Sequence, residues 1–209
     1  MCILSGTQVL KSSTAIIIPD GCRDLIMKVS GEAEPQWFVS PLLDHSKAVQ
    51  IENNSNFLGF RIKPGTYIEE EKLLNTIKRE YVDLDNVYNV IEDFTCVDFA
   101  VEEALSCLAS DIDSIKKASL LLGVSTRTLQ RFIYKKTERT PSYWFQLARI
   151  RRAARALPQS VPLVDMADMY GFSDQAHMSR EFKRWFHISP SEIQDYPEIV
   201  TQLNDIGYG

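Results

Sequence analysis

Between residues 171 and 193 the chain reads GFSDQAHMSREFKRWFHISPSEI, and its apolar residues Met178, Phe182, Trp185 and Phe186 recur at i, i+4, i+7 and i+8, the spacing of one face of an α-helix. Gln175, His177, Arg180, Lys183 and Arg184 fall on the opposite side. Gly171 punctuates the start, Ser173 or Asp174 can cap the helix, and Ser189 with Pro190 and Glu192 has the form of a capping box that opens the next helix. The pattern predicts a turn and then an amphipathic helix over about 174–186, one face packed and one meeting something anionic. A solvated surface helix would account for a single such stretch equally well, because charge on an exposed face is ordinary. The layout, however, occurs twice.

Residues 123–141, GVSTRTLQRFIYKKTERTP, repeat it. Gly123 and Ser125 match Gly171 and Ser173 at an offset of 48, while Leu129, Arg131, Ile133 and Pro141 match Met178, Arg180, Phe182 and Pro190 at an offset of 49, so one residue is inserted at the helix start. The first amphipathic helix is predicted over about 125–136, after a helix at 115–122 that Gly123 ends. A linking helix follows over 141–157, stopped by Pro158, and 162–170 supplies the helix before the second turn. Two helix-turn-helix units about 50 residues apart, joined by the basic segment SYWFQLARIRRAARAL at 142–157, resemble the DNA-binding domain of the AraC/XylS family of bacterial transcription regulators. The resemblance covers roughly 110–196. In one respect both repeats depart from it: where the family usually has glycine after the recognition helix, this chain has Glu138 and His187. If the backbone is left-handed there, each costs on the order of 1 kcal/mol relative to glycine.

The first third has strand character. A short apolar run at 15–18, the turn Pro19-Asp20-Gly21 and a strand at 24–29 predict a hairpin, with further strands at 36–39, 47–51 and 57–62. IIIPDGCRDLIMKV, with FLGFRIKPG further on, resembles the small β-rich sensor-like domain that precedes the DNA-binding domain in a subset of the family. A helix is expected from 66–69 to about Tyr81, its Glu69-Glu70-Glu71 run read as a solvated helix start near the positive end of the dipole. Residues 82–97 look irregular or weakly helical, a helix is expected at 98–109, and the acidic, glycine-ended tail has the composition of a partly disordered terminus. The expected fold class is therefore α+β: a β-rich domain at 1–90, an all-α domain at 97–196 with two helix-turn-helix units joined by a linker helix, and a tail at 197–209.

Charge sharpens this division. The 209 residues carry a net charge of −5, but residues 1–114 hold 9 basic and 19 acidic side chains whereas 115–196 hold 14 and 7. The basic charge lies where the repeats lie. Cys2, Cys22, Cys96 and Cys107 show no metal-ligand spacing, and with no signal-peptide pattern they are expected as reduced thiols in a cytoplasm. No apolar run reaches the ~18–20 residues that span a bilayer, so the protein is expected to be cytoplasmic, associated with a bacterial nucleoid, and not membrane-bound. Enzyme readings find little support: His45, His177 and His187 are the only histidines, too dispersed for a three-histidine metal site, and no phosphate loop, GxSxG or HExxH motif is present. Asp20 and Asp24 beside Arg23 suit a turn with a local ion pair better than a ligand pocket. No catalytic residue, metal or cofactor is expected.

A recognition helix in the major groove offers its N-terminal side chains to base edges, where arginine grips guanine and glutamine adenine in two-point contacts. In the first unit these are Arg127, Gln130 and Arg131, with Leu129, Phe132 and Ile133 packing inward. The resemblance carries the second set to Gln175, His177 and Arg180, with Ala176 available for a thymine methyl. Lys135, Lys136, Lys183 and Arg184, further along, suit phosphates, as do the helix starts at Ser125 and Ser173. Arg131 and Arg180 could alternatively pair with carboxylates such as Glu181 or Asp165, and His177 could be a solvated helix residue. Among Arg149, Arg151, Arg152 and Arg155 the periodicity separates no phosphate contact from a structural partner. The expected partner is double-stranded DNA, with RNA polymerase, a small-molecule or protein effector at the N-terminal domain, and a second copy of the chain left open. The competing reading is a protein-interaction module on this fold that no longer binds DNA.

Overall fold

The computed structural model describes residues 4–9, 13–80, 84–157 and 161–209. Cys2, the expected helix end at Tyr81 and the stop at Pro158 lie outside them. The chain falls into two compact units, one comprising Met1–Ala15, Cys22–Leu42 and Val49–Glu102, the other Ile16–Gly21, Leu43–Ala48 and Glu103–Gly209.

The strands run β1 (Leu4–Val9), β2 (Ser13–Ile17), β3 (Arg23–Ser30), β4 (Gln36–Val39), β5 (Lys47–Ile51) and β6 (Ser55–Ile62). Four form an antiparallel sheet in the order β1-β6-β3-β4, while β2 and β5 make a separate two-stranded ribbon. Leu25 of β3 lies between Val39 of β4 and Phe60 of β6, and this buried row makes one face of the sheet apolar. Helices α1 (Glu70–Glu80) and α2 (Leu84–Asp93) complete the core with Leu73, Ile77, Val87, Val90 and Ile91. Two short strands, β7 (Tyr67–Ile68) and β8 (Thr95–Cys96), pair antiparallel beside them. Arg23 and Asp24 are engaged locally, Arg23 with Glu70 at 2.6 Å and Asp24 with Arg61 at 3.1 Å.

Three expectations are corrected here. The hairpin across Pro19-Asp20-Gly21 does not form: β2 pairs with β5, and β3 with β4 and β6. The intervening backbone groups bond elsewhere, Ile18 N–H with Gln202 Oε1 (3.1 Å), Pro19 O with Arg151 (3.2 Å) and Asp20 O with Tyr208 N–H (2.7 Å). Residues 82–97, expected to be irregular or weakly helical, are the more ordered of the two, with α2 and β8, because Val87, Val90 and Ile91 give a helix an apolar face at i, i+3 and i+4. The tail is not loose, since it forms a helix at Pro197–Asn204 that buries Ile199 and Leu203, with Tyr208 buried beyond it.

In the second unit α3 (Phe99–Ala109), α4 (Ile115–Leu121), α5 (Thr126–Thr137), α6 (Pro141–Ala156), α7 (Leu163–Met169), α8 (Gln175–Phe186) and α9 (Pro197–Asn204) follow in order, α3 beginning in the first unit. A 3-10 helix at Pro190–Asp195 stands where a further helix start was expected, and it carries the capping box of Ser189 and Glu192. α6 supplies the centre: Trp144, Leu147, Ala148, Ile150, Arg151, Ala153 and Ala154 are all buried. Among the described residues no helix is long and apolar enough to cross a membrane.

Candidate nucleic-acid interface

Each helix-turn-helix begins with the same backbone device. After α4, Gly123 takes φ +67°, so Gly123 N–H reaches Leu120 O (3.1 Å) and Val124 N–H reaches Ser119 O (2.9 Å). After α7, Gly171 takes φ +69°, with Gly171 N–H on Asp168 O (3.0 Å) and Phe172 N–H on Ala167 O (2.8 Å). Glycine enters this left-handed exit without a Cβ penalty. The four bonded positions correspond at an offset of 48.

Past the turn the register changes. Ser125 Oγ caps α5 by accepting from Thr128 N–H (3.1 Å), and Asp174 Oδ1 caps α8 by accepting from His177 N–H (2.6 Å). The caps are 49 apart, so the inserted residue is Ser173 in the turn, and Asp174 is the counterpart of Ser125. The His177 N–H bond, with Arg180 nearby, holds the Asp174 carboxyl below its ordinary pKa. A carboxylate therefore already occupies the positive end of α8, which a hydroxyl leaves open to an anion at α5. Ser173 instead meets His177: its N–H and Oγ lie 3.2 and 3.1 Å from Nδ1. With Nδ1 accepting that N–H, Nε2 is the remaining polar atom of the imidazole.

In this register Arg127 corresponds to Ala176, Gln130 to Ser179, Arg131 to Arg180, Tyr134 to Lys183 and Lys135 to Arg184. Leu129, Ile133, Met178, Phe182, Trp185 and Phe186 are buried as expected, and Phe132 is half-buried. Arg127, Gln130, Arg131, Lys135, Lys136, Gln175, Ala176, Arg180, Lys183 and Arg184 are exposed, and His177 is half-buried. Among the described residues neither Arg131 nor Arg180 makes a hydrogen bond or ion pair; Glu181, named as a partner for them, holds Arg184 (3.4 Å) and Trp185 Nε1 (3.3 Å) instead. Arg184 also donates to Gln146 Oε1 of α6 at 3.2 Å, so its head is partly committed to packing. Thr128, exposed at the position that corresponds to His177, was not singled out in the sequence, although the offset of 49 would have found it.

The linker arginines separate by what their heads touch. Arg149 donates to Gly171 O (3.0 Å) and stacks over Phe172 with its guanidinium carbon 4.6 Å from the ring centre, pinning the second turn to α6. Arg151 is fully buried, and Arg155 donates to Leu203 O (2.7 Å) and Gly209 O. Burial lowers the pKa of Arg149 and Arg155 from the usual guanidinium value.

A family of helix-turn-helix domains matches residues 119–196. Over 73 residues the chain is 38% identical to the HTH-type transcriptional activator RhaS of Escherichia coli O1:K1, a match covering 34% of this chain and 26% of RhaS. Residues 119–196 form a helix-turn-helix domain. A longer match, 26% identical over 164 residues, is to the uncharacterized HTH-type transcriptional regulator YbfI of Bacillus subtilis (strain 168), covering 78% of this chain and 59% of YbfI. The chain thus spans about a quarter of the length of RhaS and three-fifths of that of YbfI. An AraC-type regulator structure from Chromobacterium violaceum aligns at 28% identity over 52% of this chain and 95% of its own, with a TM-score of 0.42. The matched domain takes in both turns, α5, α8 and the whole of α6.

Proposed function

We propose that this chain is a sequence-specific DNA-binding transcription regulator in which α5 and α8 enter successive major grooves about one turn (~34 Å) apart. The observation that carries the reading is the repeated turn, cap and helix, which leaves Arg131 and Arg180 exposed at equivalent places, neither with a hydrogen bond or ion pair among the described residues. Arg127, Gln130 and Arg131 read bases in one groove; Gln175, Ala176, His177 and Arg180 read them in the other. Ser125, Lys135, Lys136, Lys183, Arg184 and the Ser173 turn approach phosphates. Because Arg127 corresponds to Ala176 and Gln130 to Ser179 in the repeat register, the two half-sites differ and one chain covers an asymmetric site. A regulator of this kind works in the cytoplasm at the nucleoid, is not an enzyme, and engages RNA polymerase, an effector at its β-rich unit or a second copy of itself. The test is selection of duplexes from a random pool, followed by footprinting and a salt titration. Protection of two adjacent major grooves on one face is expected, with log affinity falling steeply with log salt. Failure to bind any duplex at ~50 mM salt refutes the reading in favour of a protein-interaction module.

A further inference from the structure

The last carbonyls of a helix have no partner inside it, and where the helix end is buried something else must supply donors. At the end of α8 the donor comes from far away in the chain. Trp185 is buried, and its carbonyl accepts from Ser46 N–H at 2.8 Å and from Ser46 Oγ at 3.1 Å, Ser46 itself being 5% exposed. Two further contacts come from the same short stretch. The His45 ring meets the ring of His187, the left-handed residue that ends α8, edge-on at 5.3 Å. Tyr143 of α6 donates its hydroxyl to Leu43 O at 2.7 Å while its ring lies 5.6 Å from that of Trp185. Leu43–Ala48 belongs to the helical unit, although in the chain it follows β4 and runs into the first two residues of β5.

We infer that Leu43–Ala48 is a positioning element for the second recognition helix, holding its C-terminal turn against α6 so that Arg180 and Lys183 are presented at a fixed angle. Ser46 and Tyr143 are its positioning residues. α5 is held by other groups: its own end turns on Glu138 N–H to Tyr134 O, and its Thr137 Oγ1 accepts from Trp144 Nε1 at 3.0 Å. Loosening the Ser46 segment therefore weakens one half-site and spares the other.

This inference rests on the DNA-binding reading above, and the experiment separates the two. The probe is a duplex selected from a random pool by the full wild-type chain, and the α8 half-site is the one whose footprint Arg180→Ala removes. Ser46→Ala and Tyr143→Phe, each deleting one hydroxyl, should lower affinity for this duplex about three- to tenfold. Protection should thin over the α8 half-site and persist over the α5 half-site. On a duplex with the α8 half-site scrambled, both variants should bind like wild type. Equal loss over both half-sites, or no loss with either variant, overturns the inference while leaving the DNA-binding reading intact. A wild-type chain that selects no duplex removes both. Should circular dichroism show Ser46→Ala unfolded, Tyr143→Phe decides by the same criteria.

Discussion

Glu138 ends α5 at φ 56°, ψ 14°, a conformation that costs an L-residue with a Cβ roughly 1–2 kcal/mol. Replacing it with glycine removes that strain and returns part of the gain as the extra entropy of a glycine in the unfolded chain, about 0.5–1 kcal/mol. The carboxylate also sits at the negative end of the helix dipole, where an exposed acid costs a few tenths of a kcal/mol. Its side chain is exposed, and the bond that matters, Glu138 N–H to Tyr134 O at 2.9 Å, is kept by any residue but proline. Glu138→Gly should therefore stabilise the protein by about 0.5–1 kcal/mol, raising Tm by roughly 1–4 °C for a chain of this size. Thermal unfolding at neutral pH, followed by circular dichroism, measures this. Glu138→Gln is the control, because it removes the charge and keeps the strain. If the glycine variant were no more stable than the glutamine variant, relief of left-handed strain would be the wrong explanation. His187→Gly at φ 61° should gain less, since it gives up the ring contact with His45.

Arg180→Ala should weaken binding to the selected site by roughly 1–3 kcal/mol and hardly change affinity for random DNA, whereas Lys183→Ala should weaken both and lower the salt slope by about one ion; equal losses on both DNAs would make Arg180 a phosphate contact. Asp174 has its folded pKa lowered chiefly by the His177 N–H it accepts, so its capping contribution is present above the unfolded pKa and lost as pH falls through the folded one. Asp174→Asn keeps an acceptor for that N–H, and an acid titration followed by circular dichroism should show a shallower loss of stability than wild type; parallel curves would sink the assignment. A Cβ on Gly21, at φ +75°, would lie 2.7 Å from Tyr208 Cβ and 3.1 Å from Trp144 Cζ3, so Gly21→Ala should destabilise by about 2 kcal/mol or more, and an unchanged denaturant midpoint would show that the C-terminal segment is not held there.

The helical half was legible because its signals are local. Glycine after α4 and α7, the caps at Ser125 and Asp174, proline at the start of α6 and the apolar spacing of Met178, Phe182, Trp185 and Phe186 each act within a turn or two of chain. The N-terminal third was read less well for the complementary reason. Pro19-Asp20-Gly21 is a strong turn signal, yet its neighbours bond to Gln202, Arg151 and Tyr208, more than 130 residues away in each case. No local pattern announces such partners. The tail misled in the same way, since its acidic composition hides Ile199, Leu203 and Tyr208, which matter only once α6 and α3 are there to receive them. At the candidate interface the exposed and buried faces were legible and exact equivalences were not: the inserted residue could be placed only by seeing which side chain, Ser173 or Asp174, accepts the His177 N–H.

That insertion has a consequence for how the two halves of the domain treat an anion. At α5 a neutral serine leaves the helix start attractive to a phosphate; at α8 a carboxylate fills the same place. The basic side chains are divided as unequally. Arg149, Arg151 and Arg155 direct their guanidinium groups at the carbonyls of Gly171, Pro19, Leu203 and Gly209, and Arg184 shares its own with Glu181 and Gln146. Much of the positive charge of residues 115–196 is thus spent on fixing the turn and the tail to α6, and the first unit, with Arg127, Arg131 and Lys135 outward, presents more free charge than the second, with Arg180 and Lys183. If α5 and α8 read DNA as proposed, the first is the more electrostatic reader and the pose of the second depends on packing from α6 and the Ser46 segment, so a structural change elsewhere in the chain would alter recognition most at α8.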